Sequence, residues 1–304
     1  MKLQDLHVLM TVVQAGSMRK AAALLNTTQS VISRQIAELE RTIGAHLLDR
    51  NPQGVEPTEY GRVLLDGGVA VFDDLRQTVK NLEFLADPTA GEVRIGCNPY
   101  LATSFVSAVI DRLSRRYPRI VFQVAATLAE ALHRELSERH VDFLISRRLS
   151  TFADERMDFE VLFDDLNVVV AGAHNPWVRR RQITLADLVN EPWALPQPDG
   201  VIGSVIMEAF RRSGLNYPRA TVVTYFAHLR LSLCATGRFL TIHPASLLRF
   251  PSTPLDLKVL PVELPLAREL IGIVTLKNRT LSPVAKVFID TAREVAKPMV
   301  KRKS

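Results

Sequence analysis

At 304 residues, with 47% hydrophobic and few aromatic side chains, the chain is too long for one ordinary domain and reads as a soluble globular protein of two or three. No apolar run approaches the ~20 residues that span a bilayer, and Gln4, Asp5 and His7 break the basic-then-apolar order of a signal peptide, so a cytoplasmic location and no membrane partner are expected. The net charge is +6, yet residues 1–87 hold nine Lys and Arg against eleven Asp and Glu, so global charge cannot carry a nucleic-acid reading for the N-terminal part.

Leu3, Leu6, Leu9, Met10 and Val13 give a first helix its apolar stripe. Ala15 to Leu25 reads as a shorter helix: Ser17 supplies an N-cap, and Ala21 and Ala22 keep one face thin enough for a second helix to cross. Asn26-Thr27-Thr28 is a polar turn, in which Thr28 or Thr27 caps the helix that follows. Over 29–41 the stripe Ile32, Ile36, Leu39 and Ile43 is buried, and the opposite face shows Ser30, Arg34, Ala37 and Arg41, flanked by Gln29 and Ser33. Most amphipathic helices show a polar face to water. Here the short Ala-rich helix and the turn before it complete a helix-turn-helix, whose second helix can enter a major groove. Gln reads adenine there, Arg reads guanine, and Ser or Thr reads either a base or phosphate. The expected DNA contacts are Ser17, Arg19, Lys20, Thr28, Gln29, Ser30, Ser33, Arg34 and Arg50. After Gly44, residues 45–55 are short and turn-rich, with Asn51-Pro52-Gln53-Gly54 as a tip. Two brief strands around it would form a wing with Arg50 near the phosphates, and an ordinary surface hairpin is the alternative.

Gly16-Ser17, Ala21-Ala22, Leu25, Gln29, Ser33-Arg34-Gln35-Ile36, Leu39-Glu40, Gly44, Leu47, Arg50, Thr58 and Gly61 fall at the spacings of the LysR-type transcriptional regulators, which this sequence resembles more loosely to its end. Three positions depart from the pattern: Leu48 replaces the usual Phe, Val31 a common Pro, and Pro57 the Leu that usually precedes the Thr. The first is a packing change, and the other two bear on the start of the recognition helix and on the wing. The resemblance implies a winged helix-turn-helix at 1–58, a linker helix, and an α/β effector domain of two lobes resembling a periplasmic binding protein. It also implies dimers that commonly pair into tetramers.

Thr58 caps a long helix reaching about Ala86, on which Leu65, Gly68, Phe72, Leu75, Val79, Leu82 and Ala86 alternate at three and four residues as a heptad seam. With no obvious intramolecular partner at that length, the helix at 59–87 is read as a dimerisation element carried by Leu65, Phe72, Leu75, Val79 and Leu82. Packing of the stripe on the chain's own effector domain is the alternative. Pro88 stops the helix, and 88–91 is expected to be a hinge.

From 92 to the end the pattern alternates. Strands are expected at 93–97, 120–124 and 143–145 and helices at 99–116 and 128–138, as in a parallel sheet covered by helices. The alternation restarts with strands at 167–171, 193–195 and 240–242 and a helix at 205–212, and returns with a strand at 271–276 and a helix at 283–296. This divides into lobe I, about 92–164 and 268–300, and lobe II, about 165–267. Ligands in such sheets bind outside strand C-termini, against helix N-termini. That singles out Asn98, Tyr100, Thr103, Thr127, Ser146 and Arg147 on one side and Pro196, Gln197 and Tyr225 on the other. Thr127 and Ser146 match positions where the family often places ligand-binding hydroxyls, and Arg147 with Arg148 would suit an anionic effector. Hydroxyls and arginines at strand ends also serve merely as caps and solvated charges.

Cys97 and Cys234 lack the local spacing of a redox pair and read as buried inert thiols. His133 and His140, read as two turns apart on one helix, have no acidic ligand pattern beside them, so no metal is expected. No nucleophile elbow, phosphate-binding loop or dinucleotide fingerprint occurs, and no cofactor is expected. A DNA-binding regulator controlled by a small, anionic effector is the reading these residues favour, and it is not an enzyme. The alternatives are a stand-alone small-molecule binding protein, against which residues 1–50 argue, and an α/β enzyme, which lacks a catalytic constellation.

Overall fold

The computed structural model describes residues 1–51, 54–148, 155–250 and 255–300, in two compact units that divide between Leu82 and Glu83. The first unit opens with α1 (Leu3–Ala15), α2 (Met18–Leu24) and α3 (Gln29–Ile43), packed around Leu9, Val12, Ala21, Ile32, Ile36 and Leu39. Local chemistry sets these boundaries. The Ser17 hydroxyl accepts from Lys20 N at 3.5 Å and the Thr28 hydroxyl from Val31 N at 3.4 Å, each relieving an orphan donor of a first turn. Gly44 ends α3 at φ +79, a left-handed cap that costs a glycine little.

Two stripes differ from expectation. On α1, Val8 and Val12 are buried with Leu6 and Leu9, while Leu3 is exposed and Met10 and Val13 are half-buried, so the core face lies one residue round. On α3, Ile43 is exposed, because the helix ends there and the chain turns away.

A hairpin of β1 (Leu48–Asn51) and β2 (Gly54–Pro57) follows, antiparallel as expected of a wing. Pro52 and Gln53 of the expected tip lie outside the described residues. The wing is docked: Val55 N donates to Gly16 O at 3.1 Å. Thr58 then caps α4 (Glu59–Ala86) by accepting from Gly61 N at 3.0 Å. Gly61 is required, since a Cβ there would stand 2.0 Å from Leu47 O.

The seam on α4 is divided. Gly68 lies under Leu6 and Met10 of α1, the Phe72 ring meets His7 at 5.9 Å, and Leu65 packs on the first unit's core. Leu75, Val79 and Leu82 remain 47%, 53% and 61% exposed. The early seam therefore serves the chain's own N-terminal core, and only the later part is open.

The second unit begins at Glu83. Its first sheet has the order β4-β3-β5-β12-β6, formed by β3 (Ala90–Cys97), β4 (Arg119–Ala126), β5 (Phe143–Arg147), β6 (Met157–Asp165) and β12 (Glu269–Leu276). The β3, β4 and β5 strands run parallel, but β12 is antiparallel to both β5 and β6, so the sheet is mixed rather than parallel throughout. Ala90 and Gly91, expected in the hinge, are already β3 residues paired with Arg119 and Ile120.

Helices α5 (Pro99–Leu101) and α6 (Ser107–Arg116) follow β3, joined by a π-helical turn at Ala102–Val106, where one continuous helix was expected. Helix α7 (Ala129–Ser137) joins β4 to β5. The core beneath holds Ile95, Phe105, Phe143, Phe163, Ile273 and Phe288, with Phe288 on α11 (Pro283–Val300).

The second lobe is built on β7 (Asn167–Gly172), β8 (Ala194–Leu195), β9 (Val222–Val223), β10 (Leu240–Pro244) and β11 (Leu257–Val259). Here β10-β7-β11 is antiparallel, β8 pairs β9 in parallel, and a parallel bridge from Trp193 to Leu240 joins the two pieces. Helix α8 (Val201–Arg212) covers one face through Ile206 and Phe210, and α9 (Ala227–Ala235) packs on β7, β8 and β10, with the short α10 (Ser246–Arg249) at the end of β10.

Candidate effector and DNA-binding sites

On the first unit, Arg19 and Lys20 of α2 and Thr28, Gln29, Ser30 and Arg34 at the head of α3 are all exposed, with Ser17 and Ser33 half-buried. The Thr28 and Ser30 hydroxyls lie 2.9 Å apart, and Arg50 Nη2 reaches to 3.5 Å from Ser33 Oγ, tying the wing to the middle of α3. The buried edge of α3 fixes its rotation on α1 and α2, so an amide, three hydroxyls and a guanidinium stand together on one outer surface.

In the second unit, strand register brings three of the expected effector residues side by side. Cys97 is level with Ala126 on β4 and with Ile145 on β5, so Asn98, Thr127 and Ser146 leave three adjacent strand ends together. Ser146 is fully buried and its hydroxyl donates to Asn98 Oδ1 at 2.9 Å, while Thr127 N donates to Cys97 O at 3.2 Å. Asn98 opens the short α5 turn, where Pro99 has no N–H and Leu101 N and Ala102 N already donate to Asn98 O at 2.9 and 3.1 Å, so Tyr100 N is the backbone donor left at that turn.

The other members stand differently. The Thr103 hydroxyl turns back to Tyr100 O at 3.2 Å, satisfying its own helix. Tyr100 packs with Val168, Leu231 and Leu247 of the second lobe; its hydroxyl has no hydrogen-bond partner among the described residues, and burial, then Glu269, pushes its pKa well above the usual range. Arg147, expected to meet an anion, is paired with Glu269 at 3.2 Å, and Arg148 lies over the Phe159 ring. The fixed partner 122 residues away was invisible to local spacing. On the second lobe, Pro196 is buried and its carbonyl accepts from Tyr217 Oη at 3.0 Å, Gln197 is exposed, and the exposed Tyr225 lies against Gly200 at the head of α8.

The passages between lobes are held by Asp165 at the end of β6. It is buried and accepts from Ser246 N at 3.0 Å, Ser246 Oγ at 2.5 Å and Leu166 N at 3.0 Å. Burial raises its pKa, and these hydrogen bonds oppose the rise. A cavity of about 320 Å³ beside this passage is lined by Asp165, Arg249, Arg268 and Met299 and by none of the expected effector residues.

Sequence reasoning missed Arg230 of α9. It is 2% exposed, and its Nε and Nη1 have no hydrogen-bond partner among the described residues. A usable signal existed: Arg230 shares the inward face of α9 with Leu231 and Cys234, while Leu229 points out.

Cys97 and Cys234 are buried free thiols whose pKa values burial pushes up to about 12, in keeping with inert residues. His140 lies beyond the end of α7, with Glu135 and Glu138 each 3.5 Å away, so it does not share a helix with His133 as expected. Among the described residues no group of His, Cys, Asp and Glu could hold a metal ion, and no helix is long and apolar enough to cross a membrane.

Two family descriptions match the chain: "Bacterial regulatory helix-turn-helix protein, lysR family" over residues 3–62 and "LysR substrate binding domain" over 86–297. The HTH-type transcriptional regulator GbpR of Azospirillum brasilense is 26% identical, across 99% of this chain and 89% of its own. Full-length OxyR C199D from Pseudomonas aeruginosa has the same fold, with a TM-score of 0.67 at 20% identity, covering 100% of this chain and 99% of that one. The effector-binding domain of QuiR in complex with shikimate superposes with a TM-score of 0.52 at 19% identity, covering 69% of this chain and 99% of that one.

Proposed function

The chain belongs to the LysR family of bacterial helix-turn-helix transcriptional regulators, and from that premise we propose how it reads DNA and how it is switched. Helix α3 enters the major groove with Gln29, Ser30, Ser33 and Arg34 toward base edges. Ser17, Arg19, Lys20, Thr28 and Arg50 meet the flanking phosphates. Two copies associate through Leu75, Val79 and Leu82 of α4, presenting two α3 helices to a two-fold-related operator, and dimers pair further into a tetramer. The protein acts in the cytoplasm and catalyses no reaction.

A small organic anion binds between the lobes of the second unit, against Asn98, Thr127, Ser146 and the Tyr100 amide. The observation that carries this reading is the register of β4, β3 and β5, which sets these three polar residues at neighbouring strand ends with the buried Ser146–Asn98 bond beneath. QuiR, similar in fold, is seen with a carboxylic acid in its own effector domain, which supports the ligand class. A ligand that prefers one arrangement of the lobes shifts the chain toward it by its differential affinity alone.

A thermal-shift screen of small organic acids against the full-length chain, repeated on Thr127→Val/Ser146→Ala, tests the site. The reading requires a compound that stabilises the native chain and not the double variant. A compound that stabilises both equally contradicts it.

A further inference from the structure

Arg230 is a buried cation with no acidic partner among the described residues. The residue is 2% exposed, its Nε and Nη1 meet no acceptor among the described residues, and the titratable groups acting on it there are Tyr217, Cys234 and His243, with no carboxylate among them. Burial pulls its pKa down to about 10, so it stays charged at neutral pH. Burial holds His243 well below its usual value, so the imidazole is neutral and supplies no second charge.

Two further polar atoms of the second lobe are also unsatisfied among the described residues, and one of them belongs to His243, on which Arg230 acts. Thr241 and His243 lie two residues apart on β10, opposite Val170 and Val168 of β7, and therefore face the side of the sheet that carries Leu231 of α9. Thr241 Oγ1 and His243 Nε2 are buried and have no hydrogen-bond partner among the described residues. A charged group and two polar groups buried without partners cost several kcal/mol together in a chain that satisfies most such atoms. An anion arriving from outside the chain would remove that cost.

The location fits an incoming ligand. The bridge from Trp193 to Leu240 makes β8 and β10 parallel, so Pro196 and His243 lie at the same end of the second lobe. That end carries the passages to the first lobe, where Ala245 N donates to Leu166 O at 2.7 Å and Asp165 holds Ser246. The cation and its two companions thus sit at the lobe edge nearest the crossing strands.

We infer that Arg230, with Thr241 and His243, is the anchor in the second lobe for the carboxylate of a small organic acid. This deepens the inter-lobe reading and rests on it. It also replaces Arg147, which Glu269 already neutralises, as the charge that selects an anion. The guanidinium supplies the countercharge and directed donors, the Thr241 hydroxyl donates a further hydrogen bond, and the neutral imidazole donates or accepts as the acid's remaining polar groups require. A neutral amide of the same shape leaves Arg230 without a countercharge and gains little.

The test is the melting temperature of the full-length chain in a series of short monocarboxylates from acetate to valerate. The matching primary amides serve as uncharged controls, at constant ionic strength. The native protein should melt higher with rising carboxylate and not with amide, by mass action on the folded state. Arg230→Met should lose that dependence and melt no lower than the native chain without ligand, because an uncompensated buried charge has been removed. Thr241→Val, an isosteric change, should weaken the carboxylate response several-fold, and it carries the test if Arg230→Met does not fold.

No rise with any carboxylate, an equal rise with the amides, or an unchanged response in the Arg230 variant or, failing that, the Thr241 variant overturns the proposal. Thr127→Val/Ser146→Ala separates the two readings. A response lost there but kept in Arg230→Met leaves the first-lobe site standing and the anchor refuted, and the reverse pattern does the opposite.

Discussion

Ser146 donates its hydroxyl to Asn98 Oδ1 at 2.9 Å, joining the ends of two neighbouring parallel strands in a fully buried bond. The bond fixes the Asn98 amide with its nitrogen free to turn toward an incoming acceptor. Ser146 is therefore as much a positioning group as a ligand contact. Ser146→Ala should weaken effector binding several-fold and cost about 1 kcal/mol of stability, because it leaves Asn98 Oδ1 short of a donor. Thr127→Val should weaken binding with a smaller loss of stability, since that hydroxyl is only half-buried. Calorimetry with a confirmed effector, alongside thermal melts, separates the two effects.

On the DNA-reading face, Arg34→Ala should weaken operator binding by about 1–3 kcal/mol, a factor of roughly 5 to 150, if the guanidinium pairs with a guanine. Gln29→Ala and Ser33→Ala should act in the same sense. Arg34 and Gln29 are exposed without DNA, so melting temperatures should barely move. Gel-shift titrations of the three variants check this, and unchanged affinity in all of them would remove α3 from the recognition role.

The open end of the α4 seam predicts an assembly defect. Leu75→Asp or Val79→Asp should place an unpaired charge in a helix–helix contact and yield monomers with poor operator binding. Phe72→Asp is a less informative probe, because Phe72 also packs against His7 in its own domain. Light scattering at micromolar concentration distinguishes these outcomes, and a monomeric native protein would contradict the dimer.

His243 predicts an acid-sensitive second lobe. Its folded pKa lies well below the ordinary 6.5, so below pH 6.5 the unfolded chain takes up a proton that the folded chain refuses. Stability from this residue is complete above pH 6.5 and falls as pH drops toward the folded value, by up to about 1.4 kcal/mol per pH unit. Melts between pH 7 and 5 should show a slope that His243→Gln reduces. An unchanged slope in the variant would assign it to other groups.

The N-terminal elements were legible because their signals are local. Ser17 and Thr28 cap the helices they precede, Gly44 ends α3, and the buried Ile32, Ile36 and Leu39 recur at helical period. The parallel strand ends were legible for a related reason, since Asn98, Thr127 and Ser146 each close a short apolar strand. What was missed depends on distant pairing. Strand β6 joins the sheet only through β12, about a hundred residues further along, and β12 runs antiparallel. Arg147 reads as free until Glu269 is brought beside it. Arg230, in a run of leucines and serine, reads as an ordinary surface charge until α9 is laid on β7 and β10.

A map of the genomic DNA bound by the native chain, set beside that of Arg34→Ala at equal expression, is the most direct test of the account. Discrete native peaks should share an imperfect inverted repeat and should vanish or collapse in the variant. Native binding without a shared repeat, or an Arg34→Ala map indistinguishable from the native one, would contradict it.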